Sequence, residues 1–160
     1  MHTDLWNHAL ALYGRPGVET ACLALQDLGG DVCLLLCATW LQARRVAVDE
    51  ARIKALRGLA EPWQGQVVGP LRELRQRWRN QAHDDSALAT LRMQVKAMEL
   101  EAEKVLLTRL QACSQLWPAD PGGASGDWLD ALAPVNALGH GALLRLRAAA
   151  RGLQEAEDGV

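Results

Sequence analysis

Asp31-Val-Cys-Leu-Leu-Leu-Cys-Ala-Thr-Trp-Leu41 is the most apolar stretch of the chain and carries no charge after Asp31. A helix that is apolar on nearly every side has to be wrapped by other elements, so this segment reads as the central helix of a core. It is too short to cross a bilayer, which takes about 20 apolar residues. Gly29-Gly30 precede it and suit the end of a previous helix, because one of them can take the left-handed conformation without a Cβ penalty. Asp31 is then the N-cap, its charge favourable against the helix N-terminus.

Working outward, Leu5, Trp6, Ala9, Leu10 and Tyr13 recur at helical spacing after a cap at Thr3 or Asp4. Gly14-Arg15-Pro16-Gly17 breaks that helix. A second, about Pro16 to Leu28, turns Val18, Cys22, Leu23 and Leu25 inward and forms an antiparallel hairpin with the central helix. Arg44 and Arg45 favour the C-terminal dipole of the central helix. A short helix follows from Asp49 to Leu59 or Ala60, with Ala51, Ala55, Leu56 and Leu59 inward, and Pro62 marks its boundary.

From Pro62 to Gln81 the inward stripe is Trp63, Val67, Leu71, Leu74 and Trp78, with a kink or break expected around Gly69-Pro70. Residues 82–86 turn the chain. The longest helix then runs to about Leu116, with Leu88, Leu91, Val95, Met98, Ala102 and Val105 as a coiled-coil-like seam. That seam suits internal packing or a second copy equally, so a homodimer stays open. Residues 117–126, rich in Pro and Gly, form a loop. After a short turn at Asp127 to Leu132, a last helix is expected from about Pro134 to Gln154 with Leu138, Ala142, Leu146, Ala149 and Leu153 inward, and an acidic tail, 155–160, is expected to fray.

The run Leu5-Trp6, Tyr13, Pro16-Gly17-Val18, Ala21-Cys22-Leu23, Leu25-Gln26-Asp27, Asp31-Val32, Leu34-Leu35 and Trp40-Leu41 resembles a small proteobacterial family of helical proteins known as a domain of unknown function. The likeness continues in Val67-Val68, Pro70-Leu71-Arg72, Leu74-Arg75, Glu99-Leu100 and Ala102-Glu103. Cys33 stands where that family is expected to carry Asn. The resemblance implies a bacterial cytoplasmic protein and transfers no activity.

Composition agrees with an all-α chain. Leu and Ala dominate the 49% hydrophobic content, there is no Phe, and six Trp supply most of the aromatic volume. The 160 residues are a one-domain length, and the net charge of −2 exerts no global pull on nucleic acid or anionic membrane. The distribution is uneven, with 13 of the 17 basic but 9 of the 19 acidic side chains inside residues 44–109. No basic and apolar leader follows Met1, and no segment reads as a membrane span.

The candidate chemistry is sparse. Cys33 and Cys37 lie one turn apart with Cys22 across the hairpin, but their flanks are apolar and they read as core thiols, with no metal or cofactor expected. His2, Asp4 and His8, and His83 beside Asp84 and Asp85, lack fixed geometry for a metal. Ser86, Ser114 and Ser125 have no nucleophile elbow, and Gly29-Gly30 are not part of a phosphate loop. Glu99, Glu101 and Glu103 read as a solvated face paired with Lys96 and Lys104. Tyr13, Gln26, Asp27 and Asp31 converge at one end of the hairpin, where helix capping accounts for them. No catalytic residues are assigned, and the reading leans away from an enzyme.

What remains is Arg72, Arg75 and Arg79 at i, i+3, i+7 on one helix face, with Arg77 and Arg92 near. Arginine suits bidentate recognition of carboxylate or phosphate. Pairing with acids of the long helix would instead make this a solvated outer face. The expectation is a single all-α domain of six to seven helices over residues 1–160, an N-terminal hairpin packed on an antiparallel pair of longer helices. Its function is expected to be non-catalytic, the arginine face binding an acidic protein partner. RNA or ribosome association through the same face is the first alternative. An enzyme or small-ligand binder, with a pocket between the first helices and the loop at 117–126 lined by Trp6, Tyr13 and Trp40, is the second.

Overall fold

The computed structural model describes residues 3–122 and 126–159. Helix α1 is Leu5–Tyr13, α2 Val18–Asp27, α3 Val32–Ala43 and α4 Glu50–Trp63. A π turn, Gln64–Val68, joins α4 to α5, Gly69–Arg77. A 3-10 turn at Gln81–His83 leads to α6, Ser86–Ser114, followed by α7, Trp128–Leu132, and α8, Gly141–Asp158. Because α4, the π turn and α5 run on as one rod, there are seven helices among the described residues.

The apolar stretch is the centre of the molecule: every residue from Cys33 to Leu41 is buried. Asp31 caps α3 through a bond accepted from the Leu34 N–H at 3.2 Å. One hydrophobic cluster surrounds α3, drawing Leu5 and Leu12 from α1, Leu25 from α2, Leu56 from α4, Leu106 and Leu110 from α6, Trp128 from α7 and Leu143 from α8. Although Gly29 and Gly30 turn the chain directly from α2 into α3, the main neighbour of α2 is α8.

The rod and α6 are the expected antiparallel pair. Arg75 meets Arg92, Arg72 meets Glu99, and Trp63 donates its indole N–H to Ala102 O at 2.9 Å. Numbers fall along one helix as they rise along the other. At about 1.5 Å per residue, the 29 residues of α6 span about 43 Å. Only its C-terminal half lies on the core. The rest of α6 and all of α5 extend beyond it as a two-helix arm, in which α5 has no fully buried residue.

Several expected details change. Pro62 does not end α4 but sits inside its last turn. The ladder resets just after it, in the π turn, where Gly69 N–H reaches back to Gln64 O. A Cβ on Gly69 would lie 2.7 Å from that oxygen, so the turn requires glycine there. Pro70 follows at the start of α5, where its missing N–H is tolerated. Leu10, Tyr13 and Leu23, expected inward, are exposed, while His8, Leu12 and Ala21 are buried. Ala51 and Ala55 are also exposed, and Ala60 takes their place in the core.

The seam on α6 divides. Leu91, Met98 and Val105 are exposed, Leu88 and Val95 half-buried, Ala102 buried. The buried line is instead Glu99, Ala102, Leu106 and Leu110. The last helix starts at Gly141 rather than Pro134, because Gly139 takes φ +78 and His140 becomes the N-cap. It continues through Asp158, so the tail expected to fray is helical to that point. Arg44 serves α6 rather than α3, donating to Ser114 O and Gln115 O. Within the expected loop, Ala119 pairs with Val46 in an isolated bridge. Trp128, just beyond it, is fully buried and donates its indole N–H to Val46 O at 2.7 Å.

Candidate functional site: the guanidinium–carboxylate hub

At the root of the arm, five elements converge on a half-buried polar cluster. Glu99 comes from the inward line of α6 and is only 6% exposed. Its Oε1 accepts from Arg75 Nε at 2.6 Å, and its Oε2 from Arg72 Nε at 3.2 Å. Both arginines reach it because α5 carries them at i, i+3, one turn apart on the face turned to α6. Arg72 also links α2, since the Gln26 amide oxygen, in the orientation that satisfies both groups, lies 2.7 Å from Arg72 Nη2. Arg92 Nε donates to the Arg75 carbonyl at 2.9 Å, satisfying one of the last acceptors of α5.

Asp31 closes the cluster on the α3 side. Its Oδ1 accepts from Gln64 Nε2 at 2.9 Å as well as from the Leu34 N–H, which ties the π turn to the central helix. Its Oδ2 is buried with no hydrogen-bond partner among the described residues. Burial pushes the Asp31 carboxyl up to about 6 against the pull of Arg72, Gln64 and the backbone donors of its cap. Glu103, one turn beyond Glu99, is also raised to about 6, first by burial and then by repulsion from Glu99. Glu99 in turn holds the Arg75 guanidinium above its ordinary value through their hydrogen bond. Three carboxyl groups thus share the hub with two guanidinium groups, and two of the three, Asp31 and Glu103, hold their protons to higher pH than ordinary carboxyl groups do.

The three arginines expected to form one outward face are therefore divided. Arg72 and Arg75 turn inward and are neutralised by Glu99, with side chains 17% and 22% exposed. Arg79 alone of the three is exposed, as is Arg77. Glu99 and Glu103, expected on a solvated face, belong to the hub, and only Glu101 remains outside. Of the four residues expected to converge near the hairpin, Asp31 and Gln26 enter the hub. Tyr13 stands at its margin, its phenol raised to about 12 by burial and the nearby charges of Cys22, Glu19 and Glu103. Asp27 takes no part. Glu99 was detectable in principle, because it falls four residues after Val95 and three before Ala102 on the buried line.

Elsewhere the polar side chains do structural work. The four cysteines are free; Cys22, Cys33 and Cys37 are buried and Cys113 is half-buried, and burial raises all four thiols. His8 is buried with its Nε2 2.9 Å from Thr39 Oγ1, whose hydroxyl donates to Leu36 O. His2 and Ser125 lie outside the described residues. Ser114 is buried and donates to Leu110 O, and Asp85 caps α6. No group of His, Cys, Asp or Glu among the described residues could hold a metal ion. Trp6, Tyr13 and Trp40 do not line one pocket: Trp40 is buried and bonds Thr3 O, while Trp6 lies under Lys104. No helix among the described residues is long and apolar enough to cross a membrane.

A family model described as a protein of unknown function (DUF2390) matches residues 4–110. The match includes every hub residue and ends within α6, before α7 and α8. No curated protein and no solved structure matches the chain.

Proposed function

The chain belongs to the DUF2390 family of proteins of unknown function, and we propose that it works as a non-catalytic interaction module, docking an acidic partner protein through the outer surface of the α5–α6 arm. The observation that carries this reading is the exposure of that arm. Leu91, Met93 and Met98 are 49%, 73% and 57% exposed on α6, and Arg77 and Arg79 are exposed at the end of α5 and just after it. Methionine, large aliphatic and arginine side chains together suit a protein interface, the methionines adapting their shape and the arginines choosing the charge of the partner. In this reading Arg72 and Arg75 contribute indirectly, by fixing the root of the arm to the body through Glu99. A bacterial cytoplasmic setting goes with it, supported by the family resemblance and by four free thiols.

The test is a cross-linked pull-down with the full chain, its Arg77→Glu/Arg79→Glu variant and its Met93→Ser/Met98→Ser variant, each with and without RNase. A defined protein that survives RNase and is lost with either variant is the expected result. Capture unchanged by both variants removes the arm from the account. Capture abolished by RNase replaces the protein partner with RNA.

A further inference from the structure

We infer that a cleft between α3, α7 and α8, remote from the arm, binds a phosphate-bearing small molecule through Arg45, Arg147 and Arg151. The cleft has a volume of about 470 Å3, and Thr39, Gln42, Asp127 and the three arginines are among its lining residues. That volume falls within the roughly 300–1,000 Å3 of small-molecule sites.

The charges on its wall are unequal. Arg147 is held by the carboxylate that caps α7 and by one within it, its Nε 3.2 Å from Asp127 Oδ2 and its Nη2 2.7 Å from Asp130 Oδ1. This fixes its guanidinium and answers much of its charge. Arg45 and Arg151 have no carboxylate within ion-pair distance among the described residues. Gln42 adds a positioned donor. Its Oε1 accepts from the Trp128 backbone N–H at 2.9 Å, which leaves its amide NH2 to face other acceptors. The C-terminus of α3 brings a partial negative charge of about half a unit, small against two unanswered guanidinium charges. Planar guanidinium groups match the oxygens of phosphate.

A second observation is the backbone of Arg45. Helix α3 ends with Arg45 N–H bonded to Gln42 O and Val46 N–H bonded to Leu41 O, and Arg45 has φ +59. Helix α2 ends in the same way, with Gly29 N–H to Gln26 O and Gly30 N–H to Leu25 O, and there the left-handed residue is Gly29 at φ +93. Glycine takes this conformation freely and arginine does not. At the end of α3 the chain carries a strained arginine in the position that glycine fills at the end of α2. The side chain gained is a wall of the cleft.

The experiment is isothermal titration calorimetry of the full chain with inorganic pyrophosphate and inorganic phosphate, with citrate as the carboxylate control, at fixed low salt. Pyrophosphate is expected to bind more tightly than citrate. Arg45→Gly and Arg151→Gln are each expected to weaken it by about tenfold or more. Arg45→Gly relieves the backbone, so its melting temperature should equal or exceed that of the parent chain, separating lost binding from lost folding. No binding by the parent chain, binding by both variants as tight as that of the parent chain, or a preference for citrate would overturn the assignment.

Discussion

Glu99 and Arg75 meet with Oε1 and Nε 2.6 Å apart at the point where the arm leaves the core. The carboxylate is nearly buried and shared with Arg72, so one side chain of α6 clamps two successive turns of α5. Replacing it by glutamine keeps the shape and removes the carboxylate that pairs directly with both guanidinium groups. Breaking a fully buried pair costs about 3–5 kcal/mol, and the residual exposure of both arginines brings the expected loss for Glu99→Gln to about 2 kcal/mol. Urea denaturation measures it.

The hub also sets a pH dependence. The Asp31 and Glu103 carboxyl groups rise from ordinary values of 3.8 and 4.5 to about 6 in the folded protein. Between those values the folded chain binds more protons than the unfolded one, so stability falls as pH rises toward about 6 and then levels. The contribution of this pair is fully present below the ordinary carboxyl values. Chemical denaturation at pH 5 and pH 7 should therefore favour pH 5 in the parent chain, with the difference reduced in Asp31→Asn/Glu103→Gln. Asparagine retains the N-cap, which keeps the helix start intact.

Gly69→Ala tests the π turn. Its methyl would stand 2.7 Å from a backbone oxygen that cannot swing aside, and the expected cost is about 1–3 kcal/mol. Amide exchange in residues 64–72 should accelerate in the same variant.

Trp128 anchors α7 beneath the Val46–Ala119 bridge and stacks on Trp117 with ring centroids 6.1 Å apart. Trp128→Phe is expected to lose about 1 kcal/mol with its hydrogen bond. Trp128→Ala is expected to lose about 3–5 kcal/mol with its volume. Thermal melts of the two variants distinguish the two contributions.

Native thiol chemistry should be confined to one position. Burial raises every cysteine, but Cys113 alone is part-exposed. Brief alkylation at neutral pH followed by mass spectrometry is expected to find modification at Cys113 and protection of Cys22, Cys33 and Cys37.

The central helix, its cap at Asp31 and the pairing of two long helices were legible because each rests on local pattern. The hub was legible only in halves. Arg72 with Arg75, and Gln26 with Asp31, stood out separately, but joining them required knowing how α5 rotates after the π turn. Glu99 is hidden in the sequence because a charged residue between Glu101, Glu103 and two lysines looks solvated until its partners are known to lie opposite. The burial of Trp128 is not legible, because a five-residue helix has too few turns to show which side faces inward. The division of the α6 seam has a similar cause: its N-terminal half packs on α5 through polar contacts, not on the core.

The hydrophobic cluster draws on residues 5–60 on one side of the arm and 106–153 on the other, while the turn at the arm's tip contributes nothing to it. A peptide bond cut near Asn80 would therefore leave two fragments that each hold half of one interior. Neither half can cover its apolar surface alone, and each supplies what the other lacks. The two polypeptides should reassemble when mixed, which makes the tip a natural place to split the chain into a complementing pair.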